Sequence, residues 1–257
     1  MNKVLLVEDN VVNQKVALVL LDQLGLEADV ASNGREALER VSSGSYSVIL
    51  MDCHMPEMDG FEAARAIRRL EAETGHYTPI VAVTALAMSG DRERCISAGM
   101  DDYVPKPIDK EMLKVKLNHW LQPDVVYRNQ KLSRLCSAPP AANLPDDGAP
   151  INLDELRDFY GAEELNDILR VFLNSTGEFM GRLSANVQER NRTSVARMAH
   201  ELKASCASVG AKQMAKVALF LEQACGQEDW DEVKQMQTDL DESFAKLKAF
   251  LKDRLSV

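Results

Sequence analysis

Four short apolar runs punctuate the first part of the chain, each stopping at polar residues. Lys3 to Val7 precedes Glu8-Asp9, Val48 to Met51 precedes Asp52, Ile80 to Val83 precedes Thr84, and Tyr103-Val104 leads to Lys106-Pro107. Apolar runs of this length alternating with helical stretches predict a parallel sheet wrapped by helices. From Asn152 onward the period changes. Leu165, Ile168, Leu169, Phe172, Leu173, Thr176, Phe179, Met180, Leu183 and Val187 fall at i, i+3, i+4, i+7 along one long helix. Val195, Met198, Ala199, Leu202 and Cys206 mark a second helix broken at Gly210. Met214, Val217, Ala218 and Leu221 mark a third, and Val233, Met236, Leu240, Leu247 and Leu251 a fourth. Four amphipathic helices with short connections predict an antiparallel bundle, with Leu153 to Tyr160 as a short extra helix across one end.

The two patterns divide the chain into residues 1–121, a connecting stretch 122–150 and residues 151–257. Ser137 to Pro150 is aperiodic and rich in Pro, Ala and Asp, which reads as a linker. Val125 to Leu135 either extends the preceding helix or docks on it. A flexible chain of about 30 residues has a root-mean-square span of about 30 Å, longer with proline stiffening. Contact between the two parts is therefore expected to be possible within one molecule.

The polar residues that end the apolar runs carry the first candidate chemistry. In open parallel sheets, ligands bind outside the carboxyl ends of the strands. If the runs are neighbours, Glu8, Asp9, Asp52, Thr84 and Lys106 converge on one crevice. Three carboxylates there repel one another and call for a cation, and an all-oxygen set favours Mg2+. Asp9 and Asp52 are the expected direct ligands, with Glu8 acting through water. Phosphoryl transfer needs mainly positioning and charge neutralisation. Lys106 and Thr84 are suited to phosphoryl oxygens, and Asp52 to the role of nucleophile.

The second candidate is His200, which falls off the apolar stripe. Ala196, Arg197, Lys203, Ala204 and Ala207 share its side of the helix. The small neighbours predict an accessible ring and a flat surface for docking. Lys203, one turn along, can reach phosphoryl oxygens carried by the imidazole. An unperturbed imidazole is largely neutral at pH 7 and can attack phosphorus.

Composition narrows the class. The net charge of -10 discourages nucleic-acid binding, and no run approaches the roughly 18 apolar residues of a membrane span. The first apolar run begins at Lys3, too early for a signal peptide to precede it. Five cysteines without a C-x-x-C pair suggest reduced thiols. A cytoplasmic protein is expected, without nucleic-acid or membrane partners. The side chains of His54 and His76 are expected at the surface.

Glu8-Asp9, Asp52 within Met51-Asp52-Cys53-His54-Met55-Pro56-Glu57-Met58-Asp59-Gly60, Thr84-Ala85 and Lys106-Pro107 together resemble the response-regulator receiver family. The resemblance implies a flavodoxin-like, doubly wound, five-stranded parallel sheet. It further implies that Asp52 takes the phosphoryl group and that the His54 backbone carbonyl completes the Mg2+ shell. Ala85 would admit the donor, Thr84 and Tyr103 would move together, and His54 and Leu86 would tune dephosphorylation. The Lys106-Pro107 bond is often cis in the family. Asn10-Val11-Val12-Asn13-Gln14 with the Met-Pro-Glu-Met-Asp-Gly run is closer to receivers of hybrid kinases than to those fused to DNA-binding domains. Met198 to Ala211 resembles the signature of histidine-containing phosphotransfer (HPt) domains, with Ala204 where glycine is usual. That resemblance implies His200 as phosphoryl carrier and Lys203 as its charge partner, with Glu222 or Gln223 as a polar neighbour from the following helix.

These readings converge on an intermediate of a multistep His-Asp phosphorelay. A histidine kinase, hybrid or separate, would phosphorylate Asp52, and the group would pass through His200 to a downstream response-regulator receiver. No ATP-binding kinase core is recognisable, so autophosphorylation from ATP is not expected. The alternatives are the C-terminal receiver-HPt portion of a hybrid sensor kinase, and a receiver-gated interaction module whose HPt part serves a separate pathway.

Overall fold

The computed structural model describes residues 3–84, 89–121, 149–227, 229–252 and 254. They fall into two compact units. The first alternates strand and helix: β1 (Lys3–Val7), α1 (Val11–Gln23), β2 (Glu27–Ala31), α2 (Gly34–Ser43), β3 (Val48–Asp52), α3 (Gly60–Thr74), β4 (Ile80–Thr84), α4 (Ser89–Ser97), β5 (Asp102–Pro105) and α5 (Lys110–Leu121). All five strands are parallel, in the order β2-β1-β3-β4-β5. This is the doubly wound order, whose direction of winding reverses between β1 and β3.

Central strands in such sheets are covered on both faces and so read as unbroken apolar runs. Every residue of β3 and β4 is buried, as are Val4 to Val7 of β1. β2 lies at the edge, and only Ala31 is buried. Its sequence Glu-Ala-Asp-Val-Ala gives no apolar run, which is why hydrophobicity alone marks the other four strands. Asp29 of β2 instead pairs with Lys3 of β1 at 2.8 Å and accepts a hydrogen bond from the Tyr46 hydroxyl at 2.7 Å.

Register and capping bring the strand ends together. Val7 pairs with Met51, Asp52 with Val83, and Thr84 with Pro105. The residues just past β1 therefore lie beside Asp52, and Lys106 donates its backbone N–H to the Thr84 carbonyl at 2.7 Å. The Lys106-Pro107 bond is cis. Asn10 caps α1 by accepting from the backbone of Val12 and Asn13. Asp59 and Glu62 form a capping box on α3.

Gly60, which follows Asp59, sits where a Cβ would lie 2.0 Å from the Asp52 carbonyl oxygen. Gly60→Ala must displace that backbone. The expected cost is about 2 kcal/mol, typical of overpacking, together with weakened phosphoryl uptake at Asp52. Calorimetry of the variant checks it, and an unchanged melting temperature would show that the loop yields freely.

The second unit is helical: α6 (Leu153–Tyr160), α7 (Ala162–Gln188), α8 (Arg192–Ser208), α9 (Lys212–Gly226) and α10 (Trp230–Lys252). α7 packs on α8, α8 on α9, α9 on α10, and α10 back on α7. These contacts make the four-helix bundle that the periodicity predicts. Ile168, Leu169, Phe172, Leu183, Val195, Ala218, Leu221, Val233, Leu240 and Leu251 are its fully or almost fully buried centre. Leu173, Val217 and Met236 of the predicted stripes are only half-buried, at the rim. Gly210 makes the α8–α9 turn with a positive φ of 70°, open to glycine without strain. α6 packs on α7, and its Tyr160 hydroxyl donates to the Ser208 carbonyl at the end of α8 at 2.9 Å.

Residues 122–148, with the predicted linker and the Val125 to Leu135 stretch, lie outside the described residues, as do Ala85 and Leu86. Among the described residues, no helix is long and apolar enough to cross a membrane. The four described cysteines, Cys53, Cys95, Cys206 and Cys225, are free thiols.

Candidate functional site

Asp52 is the last residue of β3 and only 5 % exposed, and Glu8, just past β1, only 3 %. One side chain joins them. The Lys106 ammonium donates to Glu8 Oε2 at 2.6 Å and to Asp52 Oδ2 at 2.7 Å. The other Glu8 oxygen accepts from Asn13 Nδ2 at 3.0 Å and from the Asn10 backbone at 3.3 Å. Gln14 donates to the Glu8 carbonyl at 2.6 Å. The Asn10 to Gln14 segment thus serves both to start α1 and to fix the Glu8 carboxylate. Asp52 Oδ1 accepts from the His54 backbone N–H at 3.2 Å.

The electrostatics follow from crowding in a dry place. Burial pushes the Glu8 carboxyl up to about 7, opposed by Lys106 and reinforced by Asp52. Burial also raises Asp52, against Lys106 and the His54 N–H, with Asp9 adding repulsion. At Lys106 burial works to lower the ammonium, but Glu8 and Asp52 outweigh it and hold it above its ordinary value. One ammonium faces three carboxylates, because Glu8, Asp9 and Asp52 each offer an oxygen, all within 4.8 Å of one another. An all-oxygen acidic set of this size can hold a metal ion.

Thr84 ends β4 and is 4 % exposed. The His54 side chain is exposed and edge-on to Phe61, and that of His76 is exposed too, as expected of both. Tyr103 on β5 is half-buried under the Lys116 ammonium, 5.4 Å from its ring centre.

In the helical unit, His200 and Lys203 stand one turn apart on α8, each 26 % exposed at the side chain. The ring is less open than its alanine neighbours suggest, because Glu222 reaches across from α9. Glu222 Oε1 lies 2.7 Å from His200 Nδ1, and Oε2 lies 2.6 Å from Lys203 Nζ. Lys203 Nζ is also 3.4 Å from His200 Nδ1. Sequence reasoning left Glu222 and Gln223 open as the neighbour from this helix. The bundle selects Glu222, one step after the buried Leu221, while Gln223 is exposed. The spacing within α9 could narrow the choice no further, since the rotation of α9 against α8 depends on core packing.

Burial acts to raise the Glu222 carboxyl, but hydrogen bonds from Lys203 and His200 outweigh it and hold it below the ordinary 4.5. A depressed folded value contributes stability above about pH 4.5, lost as pH falls through the folded value. The melting-temperature difference between wild type and Glu222→Gln will therefore be present at pH 7 and shrink as the pH falls below about 4.5 through the lowered folded value. A calorimetric pH series checks this, and a difference that stays constant would contradict it.

Comparison with known proteins finds a family match for each unit. Residues 4–118 match the response regulator receiver domain, and residues 167–250 match the Hpt domain. The chain belongs to these two families: it is a receiver domain followed by an Hpt domain, the pairing of two-component phosphorelay signalling.

Among curated proteins it is similar to hybrid signal transduction histidine kinase B of Dictyostelium discoideum, 48 % identical over 130 residues, covering 45 % of this chain and 7 % of that protein. It is also similar to signal transduction histidine-protein kinase BarA of Shigella flexneri, 30 % identical over 226 residues, covering 86 % of this chain and 23 % of that protein. The chain thus spans only a small part of the length of these relatives. Among solved structures, the receiver domain of sensor histidine kinase PA1611 from Pseudomonas aeruginosa PAO1 is 41 % identical, with a TM-score of 0.43, covering 47 % of this chain and 97 % of that one.

Proposed function

We propose that the chain is an intermediate of a multistep His-Asp phosphorelay, taking a phosphoryl group on Asp52 and carrying one on His200. The carrying observation is that one chain holds both halves of such chemistry. A buried aspartate paired with Lys106 stands among carboxylates, and a half-exposed histidine is paired with a lysine one turn away. The proposed receiver is 1–121, the linker 122–150 and the phosphotransfer bundle 151–257.

In the forward direction an Asp52 carboxylate oxygen attacks the phosphorus of a phosphohistidine on a kinase. The P–O bond forms as the P–N bond breaks, and the electron pair returns to the kinase imidazole. Lys106 moves from pairing with carboxylates to a phosphoryl oxygen, and the Thr84 hydroxyl takes another. Mg2+, held by Asp9, Asp52 and the His54 carbonyl with Glu8 acting through water, supplies the remaining charge neutralisation when bound. The commitment of both Glu8 oxygens to Asn13 and Lys106 supports the indirect role of Glu8. His200 then attacks phospho-Asp52, with Lys203 as its charge partner, and passes the group to an aspartate of a downstream receiver. The proposed setting is cytoplasmic, with a histidine kinase upstream.

A second reading, the receiver-HPt end of a hybrid sensor kinase, is favoured by the alignment to BarA, which runs through most of this chain. In that case the donor histidine belongs to the same polypeptide.

A pulse-chase separates relay from gating. The chain is labelled on Asp52 by a radioactive phosphodonor with Mg2+ and then chased with cold donor. Loss from Asp52 matched by gain on His200 is expected. Label that leaves Asp52 only as inorganic phosphate would overturn the relay.

A further inference from the structure

Asn13 lies in the first turn of α1 and is 7 % exposed, beside the buried apolar residues Val12, Val16 and Ala17 of the same helix. A buried amide costs free energy unless it is bonded, and asparagine is a poor helix former, so packing alone does not favour it there. Its Nδ2 donates to Glu8 Oε1 at 3.0 Å, and Lys106 donates to Glu8 Oε2 at 2.6 Å. The Glu8 main chain is held on both sides. Its N–H donates to the Ala31 carbonyl at 3.0 Å, and its carbonyl accepts from Gln14 at 2.6 Å. With that backbone fixed, the direction of the Glu8 carboxylate is decided by the two side-chain donors, with the longer Asn10 N–H contact at 3.3 Å beside them.

Glu8 is near enough to be a metal ligand. An oxygen from each of Glu8, Asp9 and Asp52 lies within 4.8 Å of the others. A turn of the Glu8 carboxylate would therefore add a third carboxylate to an ion held by Asp9 and Asp52, in place of water. The two common hard cations respond differently to such an addition. Mg2+ demands near-octahedral ligands at about 2.0–2.1 Å and keeps several waters, whereas Ca2+ takes about six to eight oxygens at about 2.3–2.6 Å and accepts extra or bidentate carboxylates. Lys106 holds Glu8 for part of the cycle, since in the proposed transfer it leaves for a phosphoryl oxygen. Asn13 is the side-chain donor that stays.

We propose that Asn13 determines metal specificity in the acidic crevice: by holding Glu8 off direct ligation it limits the carboxylate ligands to Asp9 and Asp52 and selects Mg2+ over Ca2+. The inference rests on the reading of this crevice as a metal-assisted phosphorylation site. Asn13 is thus a positioning residue that acts through Glu8, and its loss should change which ion the site prefers rather than weaken all ions alike.

The test uses the full, unphosphorylated chain at pH 8. Asn13→Ala removes the donor, and Asn13→Leu removes it while keeping the branched shape, so a folding defect from lost volume in the first is avoided in the second. Mg2+ and Ca2+ are titrated separately, and dissociation constants are read from the backbone amide shifts of Asp9, Asp52 and His54. In both variants Mg2+ affinity should fall about tenfold, the low end for loss of a group that orients a metal site from outside its ligand set. Ca2+ affinity should hold or rise, so the preference for Mg2+ falls by at least that factor. Equal losses for the two ions, or no change in either, would overturn the role of Asn13. In a Glu8→Gln background, where no carboxylate remains to be released, Asn13→Leu should leave the ratio unmoved, and a shift there would overturn action through Glu8. Failure of wild type to bind either ion would overturn the metal-site reading itself and this inference with it.

Discussion

Lys106→Met will destabilise the receiver domain by about 3 kcal/mol at pH 8 in the absence of divalent cations, the scale expected when a buried ion pair loses one partner. Methionine preserves most of the stem volume, so lost packing adds little. The loss is electrostatic, since Glu8 and Asp52 keep their burial but forfeit the Lys106 ammonium that bridges them. The pH dependence has a definite sign. Glu8 already titrates near 7 with the lysine present, and removing a positive neighbour raises it further. An acid whose folded value exceeds its unfolded one binds protons more tightly in the folded state, so stability falls as pH rises through that range. The penalty will therefore be small at pH 5 and large at pH 8. Added Mg2+ should recover much of it at pH 8, because a ligand at 100 times its Kd stabilises by about 2.7 kcal/mol. Calorimetry at two pH values, with Mg2+ or chelator, measures all four corners. A penalty equal at pH 5 and 8 would mean that Lys106 acts by packing rather than charge.

Asp52→Asn and His200→Gln will each remove one chemically distinct phosphoryl species and leave the fold in place. Asparagine is nearly isosteric with aspartate but has no carboxylate to attack phosphorus. It also lowers the negative charge that Lys106 must balance, so the receiver should be no less stable. Glutamine at 200 keeps a polar side chain on a half-exposed helix face but lacks a ring nitrogen. An acyl phosphate is cleaved in alkali, whereas a phosphohistidine survives alkali and is lost in acid. The two sites are therefore separable in a single gel without sequencing, and uptake at the missing residue should fall to background in each variant.

The parts of this account that the sequence carries most directly are those set by period and by strand ends. The buried strands β1, β3 and β4 announce themselves because both faces are covered, and the polar residues after them are the site. The bundle helices are equally legible, down to the bounds of α6, because their cores repeat at helical spacing. β2 carries no such signal, since an edge strand half in contact with solvent tolerates Glu27 and Asp29. What no pattern encodes is the partner that arrives from elsewhere in the fold. The strand ends place Lys106 in one crevice with Glu8 and Asp52, but its bridge between the two follows from register, and the choice of Glu222 over Gln223 beside His200 follows from the rotation of α9 against α8. Both are consequences of tertiary packing. The Asp59-Gly60 pair shows the converse: a motif beside the phosphoryl site turns out to be a helix cap and a close backbone approach.

The most direct test of the relay is the chemical stability of the label in wild type, Asp52→Asn and His200→Gln after incubation with Mg2+ and a radioactive small-molecule phosphodonor that phosphorylates aspartate but not histidine. The account predicts alkali-stable, acid-labile label in wild type that disappears when either residue is replaced. Label confined to an alkali-labile acyl phosphate in wild type would contradict it, and would mean that Asp52 does not feed His200.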